Sequence, residues 1–391
     1  MRACLPAAPV SSSSSRTQQR LRTLAAAAPM AHVASSDAET SALRDAAFVW
    51  AATHGLVVSA PGEGTLTHAP LSLRPTPFPR AAFKAAVSLA APFAALYAAV
   101  AADIGYLEAV LAPAAQHDAF TARLLRLLRA HPPRPDALRL GLLRSDYMVD
   151  EPTGKLLQVE INTVSASFAA LASLTSRLHA HLACYQQRDA PPGGGVGGAL
   201  PPNEAGAGFA AGLAAAWAAA EMPDAVVLFV VQPGERNVFD QQALQAALWE
   251  AHGVRTVRAT LAQVAASATL DEAQGGNGRA LRFGGETVSV VYFRAGYTPD
   301  DFPTETEWEA REMLEASCAV KCPDVALHLA GAKKARQFLF FFIFFSMLSY
   351  ASLDHFFSGA AAFGQAGGGG ALSERGRFRR RALCVCWAVG A

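Results

Sequence analysis

Between residues 225 and 319 short apolar runs alternate with helical stretches, and this alternation restricts the possible folds more than any other feature of the chain. Residues 225–231 are unbroken apolar sequence, which suits a strand buried on both faces. Residues 232–237 read as a loop and 238–252 as a helix, with Asn237 as its cap, Asp240 favouring the positive end of its dipole and Gly253 closing it. Strand signals return at 254–258 and 288–293, a hairpin is expected around Gly284-Gly285, and an acid-rich helix is expected over 305–319. Strands alternating with helices imply a compact α/β domain, here residues 221–332.

The preceding stretch, 37–220, mixes helices with two strands. Residues 37–131 have helical periodicity; within 118–129, Phe120, Leu124, Leu127 and Leu128 share one face and Arg123, Arg126 and Arg129 form a solvated row on the other. Prolines in 131–135 stop that helix. Two strand-like runs, 138–147 and 155–163, flank a turn containing Pro152 and Gly154. The two-residue period of a strand puts Leu157, Val159 and Ile161 on a face expected to pack, and Gln158, Glu160 and Asn162 on the opposite one. An apolar helix follows to about residue 185. Residues 190–207, rich in Pro and Gly, read as a flexible surface linker. No Lys-Ser/Thr follows this glycine cluster or that at 367–370, so neither reads as a phosphate loop.

Both ends differ from the body. Residues 1–36 contain four arginines, five consecutive serines and no acidic residue, the composition of an organelle transit peptide, chloroplast or mitochondrial, although a disordered tail shares it. Met30 offers an alternative start and hence a cytosolic form. Residues 336–391 read as an aberrant low-complexity tail of translated non-coding type; a membrane anchor and a buried segment are the other readings, and the apolar stretch 338–353 is short of the roughly 20 residues that span a bilayer. Six irregularly spaced cysteines match no metal-finger pattern and read as reduced thiols. A net charge of +1 supplies no field for collecting phosphates, so nucleic acid is not an expected partner.

Four polar clusters follow or end apolar strands: 144–148, 160–167, 235–241 and 294–297. Arg144 and Arg294 carry planar forks suited to carboxylates, Ser165 and Ser167 with nearby N–H groups can hold an amino-acid backbone, and Glu235 can pair with an ammonium. Together these describe a pocket for a small zwitterion with more than one carboxylate. Glu160 and Asn162, two oxygen ligands on one strand face, suit Mg²⁺ beside a phosphate. Each cluster has a plainer reading: an Arg at a strand end forms structural ion pairs, and a Ser after a strand caps helices.

The ordered set Arg144-Ser-Asp-Tyr-Met148, Gln158-Val-Glu-Ile-Asn-Thr-Val-Ser-Ala-Ser-Phe168, Glu235-Arg-Asn-Val-Phe-Asp-Gln241, Val290-Val-Tyr-Phe-Arg-Ala-Gly-Tyr297, Lys321-Cys-Pro-Asp324 and Leu329-Ala-Gly-Ala-Lys-Lys334 resembles eukaryotic glutathione synthetase from about residue 40 to 335. The resemblance implies an α/β ATP-grasp-type architecture with an inserted substrate-binding domain. It implies a homodimeric ligase that joins γ-glutamylcysteine to glycine, using ATP as co-substrate and Mg²⁺, through an acyl phosphate. Position by position it carries over Arg144, Val164, Ser165, Ala166, Ser167, Glu235, Arg236, Asn237, Gln241, Arg294, Ala295, Gly296 and Tyr297 as dipeptide contacts. Glu160 matches a residue touching both Mg²⁺ and ATP, Asn162 a Mg²⁺-site residue and Lys333 an ATP contact. Ala295 stands where the family usually has Asp. The family's later Gly-rich ATP loop has no counterpart after Lys334, so the ATP-grasp part is expected to be largely missing and this polypeptide impaired. A non-catalytic γ-glutamyl-peptide-binding or dimerisation fragment is the alternative, and β-alanine as acceptor, giving homoglutathione, stays open.

Overall fold

The computed structural model describes residues 37–60, 64–186, 200–272, 279–335, 337 and, for their backbone, 383–389. The transit-peptide reading of 1–36 therefore lies outside the described residues. Helix α1 (Asp37–His54) leads into an antiparallel hairpin, β1 (Val57–Ser59) and β2 (Leu66–His68), and then into α2 (Arg80–Ser88), α3 (Ala90–Ala102), α4 (Ile104–Ala115) and α5 (Ala119–Ala130). Strands of three residues are too short to leave an alternating signature, so the hairpin was invisible within a helical stretch. Asp118 caps α5 by accepting from the N–H groups of Phe120 at 3.1 Å and Thr121 at 3.2 Å. The helix buries Leu124, Leu125, Leu127 and Leu128. Its arginine row is not wholly solvated, because Arg123 pairs with Glu305 and lies 5.0 Å above the Trp308 ring.

Among the described residues, Arg80–Ala102 is long and apolar enough to cross a bilayer. Within the fold α3 buries Tyr97, Val100 and Ala101 in a cluster with Leu107, Leu111, Leu124 and Leu128.

The expected strand pair is an antiparallel hairpin, β3 (Arg139–Val149) and β4 (Leu156–Asn162). Alternation sends Leu140 and Leu142 into one core, and Leu143, with Ile161, into that of the helices just described. The apolar face of β4 departs from expectation: Ile161 is buried, but Leu157 and Val159 are 44% and 43% exposed, as is Met148 opposite Leu157. Period decides which side chains share a face, not how far the covering layer extends, and here that layer reaches only one end of the hairpin.

Helix α6 (Ala169–Gln186) packs Leu171, Leu178 and Leu182 with Trp50 of α1. Of the expected linker, 190–199 lies outside the described residues and 205–207 belong to α7 (Ala205–Ala219). A Cβ at Gly206 would come 3.1 Å from the Ala170 Cα, so this glycine serves close helix approach rather than flexibility.

The α/β part contains β5 (Val226–Val230), α8 (Val238–His252), β6 (Thr256–Ala259), α9 (Leu261–Ser267), β7 (Ala268–Asp271), β8 (Ala280–Phe283), β9 (Glu286–Phe293), α10 (Glu305–Ala316), β10 (Val320–Cys322) and α11 (Val325–Ala330). Strands β6, β5, β9 and β10 are parallel, and β7 and β8 add an antiparallel extension to β9. Every residue of β5 is buried because both faces are covered. Val227 and Phe229 pack with Phe209 and Leu213 of α7 and Leu244 and Leu248 of α8, while Val226, Leu228 and Val230 pack with Val264 of α9 and Leu314 of α10. The hairpin at Gly284-Gly285 has φ of +59° and +83°, a turn that needs positive φ at both central residues. Gly253 closes α8 in the left-handed region, as expected. Within the tail, 383–389 form β11, parallel to β3; apart from Gln337 the remainder of 336–391 lies outside the described residues. Cys184, Cys318 and Cys322 are free thiols.

Helix α11 is entirely buried, and Asp324 starts it by accepting from Leu327 N–H at 2.8 Å while pairing with Arg139. Burial, with Arg311 nearby, pushes the His328 pKa down to about 3. Between that value and the ordinary 6.5 the unfolded chain binds the proton and the folded chain does not. Stability is therefore full above about pH 6.5 and declines as pH falls. Urea unfolding should show a loss of about 2 kcal/mol between pH 7 and pH 5 that His328→Leu largely removes. An equal pH slope in the variant would refute the assignment.

Candidate functional site

The site is organised around the loop between β4 and α6. Ser165 and Phe168 have φ of +50° and +69°, a left-handed conformation that side chains other than glycine rarely adopt. Such strain persists only where surrounding contacts over-determine it. The contacts are present: the Asp240 carboxylate accepts from the N–H groups of Phe168, Ala170 and Leu171 at 2.9, 3.0 and 3.2 Å. Asp240 was expected to serve the dipole of its own helix; its hydrogen bonds instead cap α6. Arg294 Nη1 donates to the carbonyls of Ser165 at 3.1 Å and Ala166 at 2.5 Å, and its Nη2 lies 3.8 Å from Asp240. Tyr292 donates its hydroxyl to Ala166 O at 3.3 Å, and burial pushes that phenol pKa up. Ser165 Oγ donates to Phe293 O at 3.2 Å.

At the start of α8, Glu235 Oε1 accepts from Asn237 N–H at 2.8 Å and its Oε2 from Gln241 Nε2 at 3.3 Å. Asn237 occupies the cap position as expected, but its side chain makes no capping bond and its Oδ1 is buried without a partner among the described residues. Glu235 accepts from the cap residue's own N–H and does not replace that bond. Gln241 is fully buried and accepts from Arg258 Nη2 at 2.6 Å, while Arg258 Nη1 donates to Gln245 at 2.9 Å. Arg236 points away from this group, donating to Ser59 O of β1 at 3.2 Å.

Arg144 shows the plainer reading of its motif, a structural ion pair. Its Nε and Nη2 donate to Asp146 at 2.8 and 3.0 Å, and its Nη1 lies 3.3 Å from Ser167 Oγ. The hydrogen bonds to Asp146 raise the Arg144 pKa. Asn162 Nδ2 donates to the same carboxylate at 3.1 Å, which leaves Asn162 Oδ1 and Glu160 without hydrogen-bond partners among the described residues. Glu160 faces Asp146 across the ladder. No group of three or more His, Cys, Asp or Glu suited to a metal occurs among the described residues. A carboxylate and an amide oxygen without hydrogen-bond donors, on one strand, nevertheless fit a cation that takes its other ligands from phosphate and water. Lys333 is exposed, two residues beyond the point where Gly331 meets Thr163.

The 294–297 turn is held by Asp301, which accepts from the N–H groups of Gly296, Tyr297 and Thr298 at 2.9, 3.0 and 3.2 Å. Ala295 is buried in the apolar cluster with Phe293 and Phe302, so its own side chain faces the core. Tyr297 is 40% exposed, with Gln232 Nε2 3.4 Å from its hydroxyl.

A continuous run of contacts thus joins Arg144, Ser167, the 164–168 loop, Arg294, Asp240 and, through its neighbour Gln241, Glu235. The run lies beyond the carboxyl ends of β5 and β9, where open α/β sheets gather ligands. Sequence reasoning missed Asp146, Asp301 and Arg258. The first lay two residues from the motif arginine in a strand and therefore on the same face; Asp301 completes the capping-box spacing of Thr298-Pro-Asp-Asp301, and Arg258 gave no local signal.

The chain matches the family model for the ATP-binding domain of eukaryotic glutathione synthase over residues 37–340. It is 42% identical over 305 residues to the chloroplastic glutathione synthetase of Arabidopsis thaliana, covering 74% of this chain and 54% of that protein. Against glutathione synthetase of Homo sapiens the figures are 36% over 277 residues, 70% and 56%. A solved apo structure of a glutathione synthetase-like effector from Globodera pallida superposes with a TM-score of 0.61 at 22% identity, over 76% of this chain and 65% of that one, and shares the fold. The chain spans about half the length of the curated relatives it matches. By the extent of the model match and the identity to these relatives, the chain belongs to the eukaryotic glutathione synthase family.

Proposed function

We propose that the chain is a glutathione synthase polypeptide, of the ligase that joins γ-glutamylcysteine to glycine with ATP, and that the contacts around Arg294 form its dipeptide pocket. The observation that carries this is the convergence of Arg144, Ser167 and Arg294 on one strained loop at the carboxyl ends of parallel strands, with Glu235 placed beside them by Gln241, the neighbour of the loop-binding Asp240. Arg144, held by Asp146, keeps Nη1 beside Ser167 and can turn it to a substrate carboxylate. Glu235, already oriented by Asn237 N–H, suits the substrate ammonium. A carboxylate is a poor acylating agent, so the reaction runs through an acyl phosphate that the glycine amine attacks. The protein's part is positioning and charge neutralisation. Glu160 and Asn162 would hold Mg²⁺, which supplies charge neutralisation for the transferred phosphoryl group. Lys333 would add a cation on the nucleotide side. The plant relatives named chloroplastic support reading residues 1–36 as a plastid transit segment.

Titration calorimetry of the 391-residue chain tests the pocket. Wild type should bind γ-glutamylcysteine, and Arg144→Ala should weaken binding about 10- to 100-fold, the value of one charge-assisted contact, with little change in melting temperature. No dipeptide binding by wild type would sink the proposal. The alternative reading is that it binds the dipeptide without ligating it. ATP-dependent glutathione formation by the same preparation decides between the two.

A further inference from the structure

Arg258 is half-buried near the carboxyl end of β6, in the same cluster as Glu235 and Arg294, and no motif had singled it out. Its guanidinium is fixed from behind: Nη2 donates to Gln241 at 2.6 Å and Nη1 to Gln245 at 2.9 Å, acceptors one turn apart on α8. Both acceptors are neutral amides. A guanidinium has five N–H donors, and no described residue offers the rest a carboxylate. Such a cation, preorganised and without a hydrogen-bonded anion, invites one.

The neighbourhood indicates which anion. Gln241 links Arg258 to Glu235: its Oε1 accepts from the arginine while its Nε2 donates to the carboxylate. Arg258, as donor only, fixes the orientation of that amide. A cation and an anion held at the two ends of one amide are complementary to a zwitterionic α-amino-acid head. Buried atoms without partners border the same cluster, Arg294 Nε and Asn237 Oδ1. A donor and an acceptor left dry in this way indicate groups that complete the site from outside.

We propose that Arg258 and Glu235 together hold the α-amino-acid head of the γ-glutamyl unit, Arg258 taking its carboxylate and Glu235 its ammonium. This rests on the dipeptide reading above. It leaves Arg144 for the carboxylate at the cysteine end.

A cycle of protein and ligand changes tests the pairing in the full chain. Calorimetry would compare γ-glutamylcysteine with N-(4-aminobutanoyl)cysteine, which lacks only the head carboxylate, on wild type, Arg258→Ala and Arg258→Lys. Wild type should prefer the dipeptide by about 10- to 100-fold, as expected for a hydrogen bond between charged groups. Arg258→Ala should abolish that preference, and Arg258→Lys, keeping charge but losing the fork, should retain part of it. An unchanged preference in both variants would overturn the assignment of Arg258 while leaving the dipeptide reading intact. Binding of neither ligand by wild type would overturn both. Should Arg258→Ala lose its cooperative melt, Arg258→Lys alone decides: wild-type preference overturns the assignment, and a several-fold reduction supports it.

Discussion

Replacing Asp240 by alanine is expected to cost the fold about 3–5 kcal/mol, the penalty for breaking a buried charge pair by removing one partner. The carboxylate is fully buried and accepts from three backbone N–H groups at 2.9–3.2 Å, those of Phe168, Ala170 and Leu171. Alanine leaves all three donors dry and leaves Arg294, 3% exposed, with an uncompensated charge. Asparagine keeps the shape but presents an NH₂ group where N–H groups already point, so Asp240→Asn should fare little better. The effect should extend beyond stability. Asp240 holds the left-handed Phe168 and neighbours the Arg294 fork that carries the Ser165 and Ala166 carbonyls. A chain that survives the substitution should bind γ-glutamylcysteine more weakly at temperatures where it remains folded. Urea unfolding measures the first effect, and a loss below about 1 kcal/mol would refute the role given to Asp240.

What sequence could reveal here follows from the range of each interaction. Local periodicity located β5, α8, the β8–β9 turn and the β3–β4 pair, because a run such as 225–231 carries its burial in its own composition. It failed where the decisive partner is remote. Asp240 sits in the first turn of α8, and sequence alone assigns it to that helix dipole; its real partners lie 69–72 residues earlier. Asn237 looks like a cap, yet its side chain makes no capping bond, and the neighbouring Glu235 accepts from its N–H. Leu157 and Val159 look like core, but no described layer reaches them. The site residues were quoted from motifs in chain order, and what no motif states is that Arg294 binds the loop rather than waiting free for a ligand. Arg258 needed the folded sheet to appear at all, since its two amide partners lie on the preceding helix.

Gly331 shows the same limit and yields the second large effect. It lies in the motif Leu329-Ala-Gly-Ala-Lys-Lys334, yet its φ of −74° is ordinary helical backbone, so conformational freedom does not explain a glycine there. Space does. A Cβ at this position would stand 2.2 Å from Thr163 Oγ1 and 3.1 Å from Thr163 Cβ and Cγ2. Thr163 is 2% exposed and cannot swing into solvent. It lies between Asn162 and Val164, so any shift that relieves the clash moves the proposed metal oxygen and the loop together. Gly331→Ala should therefore cost about 3 kcal/mol, the upper end of ordinary overpacking, because the obstruction is a short buried side chain held directly after the paired end of β4. Thr163→Ala in the same chain removes both Oγ1 and Cγ2 and should return most of that loss, although each change alone is destabilising. Non-additivity of this sign is the mark of direct contact. Were Gly331→Ala to unfold at the wild-type urea midpoint, or the double variant to lose the sum of the two single costs, the close approach of α11 to the end of β4 would not be the constraint that requires glycine.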